Sequence, residues 1–309
     1  MGFFNQKKEC DIDLHALTPT ALYECIEKMS AFYPALEVGE LAKSILGRPI
    51  PLLRLGHGPQ FVLYVGAHHG MEWLTTVLLL YFIDDLCDCA RYGRHAVGLS
   101  AEYILRTRTL VFVPMLNPDG VQLALCGADA DGILTERQRQ MNGGSDDFSK
   151  WQANARGVDL NHNYRTGFYE YKKLEREMNV YSGAPTRFSG EAPESEPESA
   201  ALAAFIRSLM PHSIFTLHTQ GEEIYCGGGA AVGDRILSMA RAVSGLSGYR
   251  LCVPEGPAAY GGLTDWAVSE LSIPSFTLEC GKGENPLPPS SALLIYATLR
   301  RMFFYSPLI

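Results

Sequence analysis

The chain has 309 residues, of which 47% are apolar, enough for the core of one large α/β domain or two small ones. Its formal net charge of −8 argues against nucleic acid as a partner, because phosphate binding needs a basic face. No apolar stretch is long enough to span a bilayer, so no membrane partner is expected either.

The eight cysteines are scattered and form no CxxC pair, which is typical of reduced, buried thiols. Residues 1–8 show no basic leader followed by an apolar segment, so a secretory signal is not expected. Together these features predict a cytoplasmic protein.

Helical and strand patterns alternate along the first half of the chain. The sequence predicts a leading helix at Thr18 to Phe32, a hairpin of Glu37 to Leu46 with Ile50 to Leu55, a strand at Phe61 to Val65, a helix at Trp73 to Tyr92 and a strand at Tyr103 to Met115. Cys126 to Arg156 is rich in Gly, Asp, Asn and Ser, and it predicts a long surface excursion.

The second half continues the alternation, with a flexible connection expected at Gly227-Gly228-Gly229. Its predicted elements are a helix at Ser199 to Met210, a strand at Ser213 to His218, helices at Ala231 to Ser244 and Gly262 to Leu271, a strand at Ser275 to Glu279 and a helix at Pro289 to Tyr305. Because no linker interrupts the pattern, we predict one domain over residues 1–309, with 1–32 as a leading helical segment.

Three predicted strands end in residues that can bind a metal or move a proton. His69 and Glu72 follow one strand three residues apart, His218 ends the second, and Glu279 ends the third. Carboxyl ends of neighbouring strands border the binding crevice of an α/β sheet, so these side chains are expected to converge. Two histidines and one glutamate on zinc leave a position for water, and a further glutamate would take the proton from that water.

The order and spacing of several motifs resemble those of the zinc carboxypeptidase family over nearly the whole chain. The motifs are His69-Gly70-Met71-Glu72-Trp73, Asn117-Pro118-Asp119-Gly120, Gly157-Val158-Asp159-Leu160-Asn161, Leu217-His218, Gly261-Gly262-Leu263-Thr264-Asp265-Trp266 and Thr277-Leu278-Glu279. The resemblance implies one zinc ion held by His69, Glu72 and His218, with Glu279 as the general base. It also implies a three-layer α/β fold whose central, mixed, about eight-stranded sheet lies between helices.

The chain departs from that family at Asn161-His162, where ordinary carboxypeptidases carry Asn-Arg and the arginine holds the substrate's terminal carboxylate. An imidazole loses the bidentate grip and the fixed charge, so strict removal of C-terminal residues is not expected. Asn161 and His162 are expected to bind substrate. By the resemblance, Tyr260 is a candidate for the tyrosine that closes over substrate.

Arg156 is a candidate for holding the oxyanion of the scissile carbonyl. The alternatives are a surface salt bridge at Arg156, and an alignment that places the family's arginine nearer Gln152. His68 is expected to point away from the metal, because adjacent residues of an extended turn face different ways.

Other segments resemble one branch of the family, the γ-D-glutamyl-meso-diaminopimelate peptidases, which cut the stem peptide of bacterial cell walls. These segments are 151–161, 188–198 and 281–288. The resemblance implies a muropeptide fragment as substrate. A cytosolic carboxypeptidase, an aspartoacylase-like deacylase of N-acyl amino acids and a non-enzymatic zinc-binding protein remain as alternatives.

Overall fold

A computed structural model describes residues 17–127, 136–227 and 232–309. Residues 1–16 of the predicted leading segment lie outside these ranges, as do parts of the glycine run and of the 126–156 excursion. The strands are β1 (Glu37–Lys43), β2 (Pro49–Leu55), β3 (Gln60–Val65), β4 (His95–Ala96), β5 (Leu99–Ser100), β6 (Arg108–Val113), β7 (Ser213–His218), β8 (Glu223–Tyr225), β9 (Arg250–Leu251) and β10 (Ser275–Glu279).

Eight of these strands form one mixed sheet in the order β1-β2-β6-β3-β7-β10-β8-β9, while β4 and β5 make a separate ribbon. The four central strands β6, β3, β7 and β10 are parallel, and β2 and β8 flank them in antiparallel pairs. At the two edges, β1 pairs with β2 antiparallel and β9 pairs with β8 parallel. The predicted mixed, eight-stranded sheet is confirmed.

Helices cover both faces of this sheet. They are α1 (Pro19–Phe32), α2 (Leu74–Arg91), α3 (Ala101–Thr107), α4 (Pro118–Cys126), α5 (Glu136–Met141), α6 (Phe168–Glu177), α7 (Pro197–Leu209), α8 (Asp234–Ser247), α9 (Leu263–Leu271) and α10 (Ala292–Tyr305). Within the described ranges, none of these helices is long and apolar enough to cross a membrane.

The alternation of side chains along β3 explains the three layers. Val62 and Tyr64 point into a core shared with α2, α8 and α10, whereas Leu63 and Val65 point into a second core shared with α7 and α9. Because both faces are covered, the central strands are apolar runs without polar alternation, which is why they could be found in the sequence.

Two sequence predictions on the way to the site are wrong. Tyr103 to Met115 was expected to be one strand, but Ala101–Thr107 forms helix α3 and only Arg108–Val113 enters the sheet. Ser100 caps the helix by accepting a hydrogen bond from the Tyr103 amide, and the buried residues Ala101, Ile104 and Leu105 have helical spacing.

The 126–156 excursion is also more ordered than expected. It contains helix α5, and its last part is an inner wall of the molecule in which Phe148, Trp151 and Ala153 are buried together. Helix α6 was not predicted at all, since its sequence is dominated by charged residues.

Candidate active site

His69, Glu72 and His218 come together at the carboxyl ends of β3 and β7. Their candidate ligand atoms all lie within 4.8 Å of one another. Glu72 Oε1 is 3.0 Å from His69 Nδ1, and Glu72 Oε2 is 3.0 Å from His218 Nδ1. The two Nδ1 atoms are 3.3 Å apart. The strand ends therefore converge as the sequence predicted.

This arrangement fits a zinc ion. Two nitrogen lone pairs and a carboxylate that face one point repel each other unless a proton or a metal cation lies between them. In a tetrahedral site with zinc–nitrogen bonds of about 2.0–2.1 Å, two imidazole nitrogens lie about 3.3–3.4 Å apart. The separation of His69 Nδ1 and His218 Nδ1 matches that edge. The donor set of two imidazoles and one carboxylate is also typical of catalytic zinc.

The turn that carries His69 and Glu72 is clamped by the segment after Phe148. The amide of Gly70 donates to the carbonyl of Gln152 at 2.9 Å, and the amide of Met71 donates to that of Trp151 at 2.8 Å. A Cβ atom at position 70 would lie 2.3 Å from the carbonyl oxygen of Gly120, so only glycine fits there. The glycine between the two ligand candidates is thus a packing requirement.

Asn117 explains why the Asn-Pro-Asp-Gly motif accompanies the site. Its side-chain amide donates to the main-chain carbonyls of His68 and Ala153 at 3.0 and 3.1 Å. Its side-chain oxygen accepts from the Gly120 amide at 2.9 Å and so caps α4. One buried side chain therefore ties the His69 turn, the 151–154 segment and a helix start together.

Asp159 orients His69 from behind. One of its carboxylate oxygens lies 3.1 Å from His69 Nε2, which leaves Nδ1 for a metal. Burial alone would raise the pKa of Asp159, but the His69 and His162 rings and the hydrogen bonds to it hold that pKa below its usual range. Asp159 belongs to the Gly157–Asn161 motif, but this orienting role was not predicted from the sequence.

Glu279 ends β10 directly opposite His218 in the parallel pair β7–β10. Burial, and then the negative charge of Glu72, raise the pKa of Glu279 to about 8. A divalent cation in the neighbouring cluster acts in the opposite direction, because positive charge favours the carboxylate. The protein groups alone therefore favour the protonated form of Glu279, and a bound cation would favour the carboxylate that can accept a proton.

A cavity of about 280 Å³ opens beside these groups. Its described lining is His69, Glu72, Gln152, Asn161, His162, His218, Thr219, Tyr225, Gly227, Pro254, Ala258, Gly262, Thr264, Asp265, Thr277, Glu279 and Asn285. Six of the eight site residues expected from the sequence are therefore brought together here.

Arg156 and Tyr260 are not part of the described lining. The guanidinium of Arg156 is half exposed and lies 3.6 Å from the carboxylate of Glu196. The main-chain carbonyl of Tyr260 bonds to His162 Nδ1, and its ring packs near Gly167. In this structure neither side chain reaches the cavity.

The sequence assigned no role to several lining residues, of which the Thr264–Thr277 pair is the most informative, and it offered Gln152 only as an alternative position to Arg156. The two threonine hydroxyls are hydrogen bonded at 2.7 Å. Nothing in their sequence neighbourhoods marks them as polar lining, although Thr277 lies two residues before Glu279 on the same strand face. His68, in contrast, is buried against Tyr164 and stands outside the cluster, as expected.

Comparison with known proteins agrees with a zinc site at these residues. The family model described as zinc carboxypeptidase matches residues 22–301. The gamma-D-glutamyl-L-diamino acid endopeptidase 1 of Lysinibacillus sphaericus is 34% identical over 271 residues, which cover 88% of this chain and 67% of that protein.

Two solved structures illustrate the likeness of the fold. Thrombin-activatable fibrinolysis inhibitor has a TM-score of 0.70 at 19% identity, covering 94% of this chain and 74% of its own. The murein-tripeptide amidase MpaA of Escherichia coli O157 has a TM-score of 0.51 at 21% identity, covering 87% and 92%. With its fold, its metal cluster and the family match in agreement, the chain belongs to the zinc carboxypeptidase family and is a zinc-dependent peptidase.

Proposed function

We propose that this peptidase hydrolyses the amide bond between γ-D-glutamate and a diamino acid in cell-wall stem peptides, acting on muropeptide fragments. The observation that carries the proposal is the 34% identity, over 88% of the chain, to an endopeptidase named for that bond. We also propose that residues 1–309 are a single catalytic domain, since both halves of the chain contribute central strands to one sheet.

The zinc ligands in this proposal are His69, Glu72 and His218. When bound there, zinc lowers the pKa of a water molecule and polarises the carbonyl of the scissile amide. Asp159 fixes the orientation of the His69 ring, and Glu72 contacts both imidazoles and so sets the spacing of the three ligands.

Glu279 is the general base and then the general acid. Its carboxylate accepts a proton from the attacking water and passes it to the nitrogen of the leaving amine. Its place beside His218 and in the wall of the cavity supports this role, because a proton acceptor must reach both the water and the scissile bond.

Gln152 is the donor that stabilises the negative charge on the scissile carbonyl oxygen. Its side-chain oxygen accepts a hydrogen bond from the Thr186 hydroxyl, so its amino group is the end available to a substrate. Its main-chain carbonyl is bound by Gly70, which holds Gln152 next to the metal ligands. The sequence favoured Arg156 for this role, with Gln152 as the alternative position, but the Arg156 guanidinium neighbours Glu196.

Asn161 and His162 bind the substrate on the leaving-group side of the scissile bond. Both line the cavity, and Leu263 fixes the Asn161 side chain by donating its amide to Oδ1 at 3.2 Å. Tyr260 contributes through its main-chain carbonyl, which orients the His162 ring.

The test offers the purified enzyme a γ-D-glutamyl-diaminopimelate tripeptide, a ladder of C-terminal peptides and a set of N-acyl amino acids in one mixture. Mass spectrometry of the products should show cleavage of the γ-glutamyl bond. Preferential trimming of the ladder would make the protein an ordinary carboxypeptidase, and cleavage of the N-acyl compounds alone would make it a deacylase.

We also propose that the enzyme works in the cytoplasm on wall fragments. No disulfide joins cysteines within residues 17–127, 136–227 and 232–309, and five of these thiols are buried, which supports a reducing compartment. Cell fractionation with an antibody should find the protein in the cytoplasmic fraction, and its recovery from the culture medium would contradict the proposal.

A further inference from the structure

The protonation of the His162 ring is fixed by its neighbours. Nδ1 lies 2.9 Å from the main-chain carbonyl oxygen of Tyr260. A carbonyl oxygen only accepts hydrogen bonds, so the hydrogen of the neutral ring is on Nδ1. Nε2 is then an acceptor. Tyr171 stacks on the ring at a centroid distance of 3.8 Å and an angle of 14°, which holds the plane of the imidazole.

The surroundings keep this ring neutral. Burial lowers the pKa of His162 below its ordinary value, against the opposing pull of the Asp159 carboxylate. Of the described residues that line the cavity, none is a lysine or arginine, whereas Glu72, Asp265 and Glu279 are acids. A free carboxylate of the substrate that entered beside His162 would leave water without an arginine or lysine side chain to pair with there.

Asn161, the preceding residue, offers a hydrogen-bond donor where His162 offers an acceptor. Oδ1 of Asn161 is occupied by the amide of Leu263, so the amino group of the side chain is the end that can donate to a substrate. Asn161 and His162 thus present one donor and one acceptor side by side in the cavity wall. A peptide group, with one C=O and one N–H, complements such a pair, but a carboxylate, with two acceptors, does not.

We propose that Asn161 and His162 recognise a peptide or carboxamide group on the diamino acid, so that the enzyme cleaves chains which continue beyond this residue and disfavours a free carboxylate at that position. This inference rests on the proposed function for the identity of the substrate. The hydrogen-bonding capacity of Asn161 and His162 would thus make the enzyme an endopeptidase.

The experiment compares two substrates that differ in one group. They are L-Ala-γ-D-Glu-diaminopimelate with the carboxylate next to the scissile nitrogen either free or converted to a carboxamide. The wild-type kcat/KM is expected to be about 10- to 100-fold higher for the carboxamide. The reason is that the free carboxylate leaves the His162 acceptor without a hydrogen bond, and an unpaired buried polar group lowers kcat/KM by about that factor. Equal values, or a preference for the free carboxylate, would overturn the inference.

Two variants locate the effect. His162→Phe keeps an aromatic ring on Tyr171 but removes the acceptor, so kcat/KM for the carboxamide should fall, through KM, to the value for the carboxylate. His162→Arg supplies a cation and should reverse the preference. The matched control is His57→Phe at an exposed histidine, which should leave the ratio unchanged. Zinc content and thermal midpoint verify that each variant is folded.

The same ratio separates failure of the inference from failure of the proposed function. If the wild type leaves γ-glutamyl substrates intact but cleaves ordinary α-peptides, the proposed function is wrong. The acid and amide forms of that α-peptide then give the ratio instead. A preference for the amide that His162→Phe abolishes supports the inference on either substrate, and a preference for the acid rejects it on either.

Discussion

Two clusters of buried acids differ in what compensates their charge. The pocket cluster consists of Glu72, Asp159 and Glu279, and its nearest partners are the imidazoles of His69 and His218. The charge of an imidazole depends on pH. A cavity also adjoins the pocket cluster.

The rear cluster consists of Asp119, Glu196 and Glu198, all nearly inaccessible to solvent. Arg48 contacts Asp119 at 2.9 Å, and Asn154 donates to Glu196 at 2.9 Å. These partners are hydrogen-bond donors with no acceptor atom in the contact, so the acids of the rear cluster need no added cation. Buried acids therefore do not make a metal site by themselves. The pocket cluster alone combines acids with imidazole nitrogens aimed at one point.

The largest expected effect concerns the proton acceptor of the pocket cluster. Glu279→Gln keeps the size of the side chain and removes its basicity, so kcat should fall by about 10²- to 10⁴-fold. Zinc content, measured by elemental analysis, should stay at one per chain. Activity near the wild-type level would remove Glu279 from the mechanism.

The next prediction compares Gln152, which lines the cavity, with Arg156, which contacts Glu196 of the rear cluster. Gln152→Ala should lower kcat by about 10²- to 10³-fold, because an oxyanion donor is lost. Arg156→Ala breaks a half-exposed contact with Glu196 and should change kcat by less than about tenfold. The exposed Gln140→Ala is the matched control. The reverse order of the two effects would return the oxyanion role to Arg156.

A smaller effect is expected from the residue that orients His69. Asp159→Asn preserves the shape of the side chain but weakens the carboxylate–histidine contact, so zinc affinity should fall by about 10- to 100-fold. Competition with a chromogenic chelator measures this affinity without reference to activity. An unchanged dissociation constant would show that Asp159 does not support the ligand.

The last prediction concerns stability and belongs to the rear cluster. Burial raises the pKa of Glu198 from about 4.5 to about 7, and Asp119 and Glu196 add to the shift. A group with a raised pKa in the folded state stabilises the protein fully below pH 4.5, and this contribution is lost as pH rises to about 7.

Glu198→Gln stays neutral at every pH. Its advantage over the wild type in the free energy of unfolding should therefore grow between these two pH values, to about 3 kcal/mol at most. Thermal or urea unfolding across that range measures the difference. A difference independent of pH would mean that Glu198 does not titrate in this window.

Much of the site could be predicted because its residues end the most recognisable elements. β3, β7 and β10 are buried on both faces, so their apolar runs reveal where each strand stops and which side chain follows. His218 and Glu279 are the last residues of β7 and β10, and His69 and Glu72 lie in the turn that follows β3. Strand ends in a parallel sheet share one edge, and this made the convergence predictable.

Arg156 and Gln152 show where the prediction stopped. They lie four residues apart in an irregular segment without periodicity, and no local rule says which of them faces the metal. That choice depends on main-chain contacts with Gly70 and Pro185, which come from distant parts of the chain. Helix α3 was misassigned for a related reason, since its β-prone composition concealed the helical spacing of its buried residues.

The amino-acid sequence by itself determined the alternation of elements, the family and the four residues at the strand ends, because burial and secondary structure impose periods that a sequence displays. Only the tertiary structure decided that Asp159 lies behind His69, that Gln152 lines the cavity and that Tyr260 fixes the tautomer of His162. These contacts join segments about 90 or more residues apart or depend on loop packing, and no local pattern encodes them.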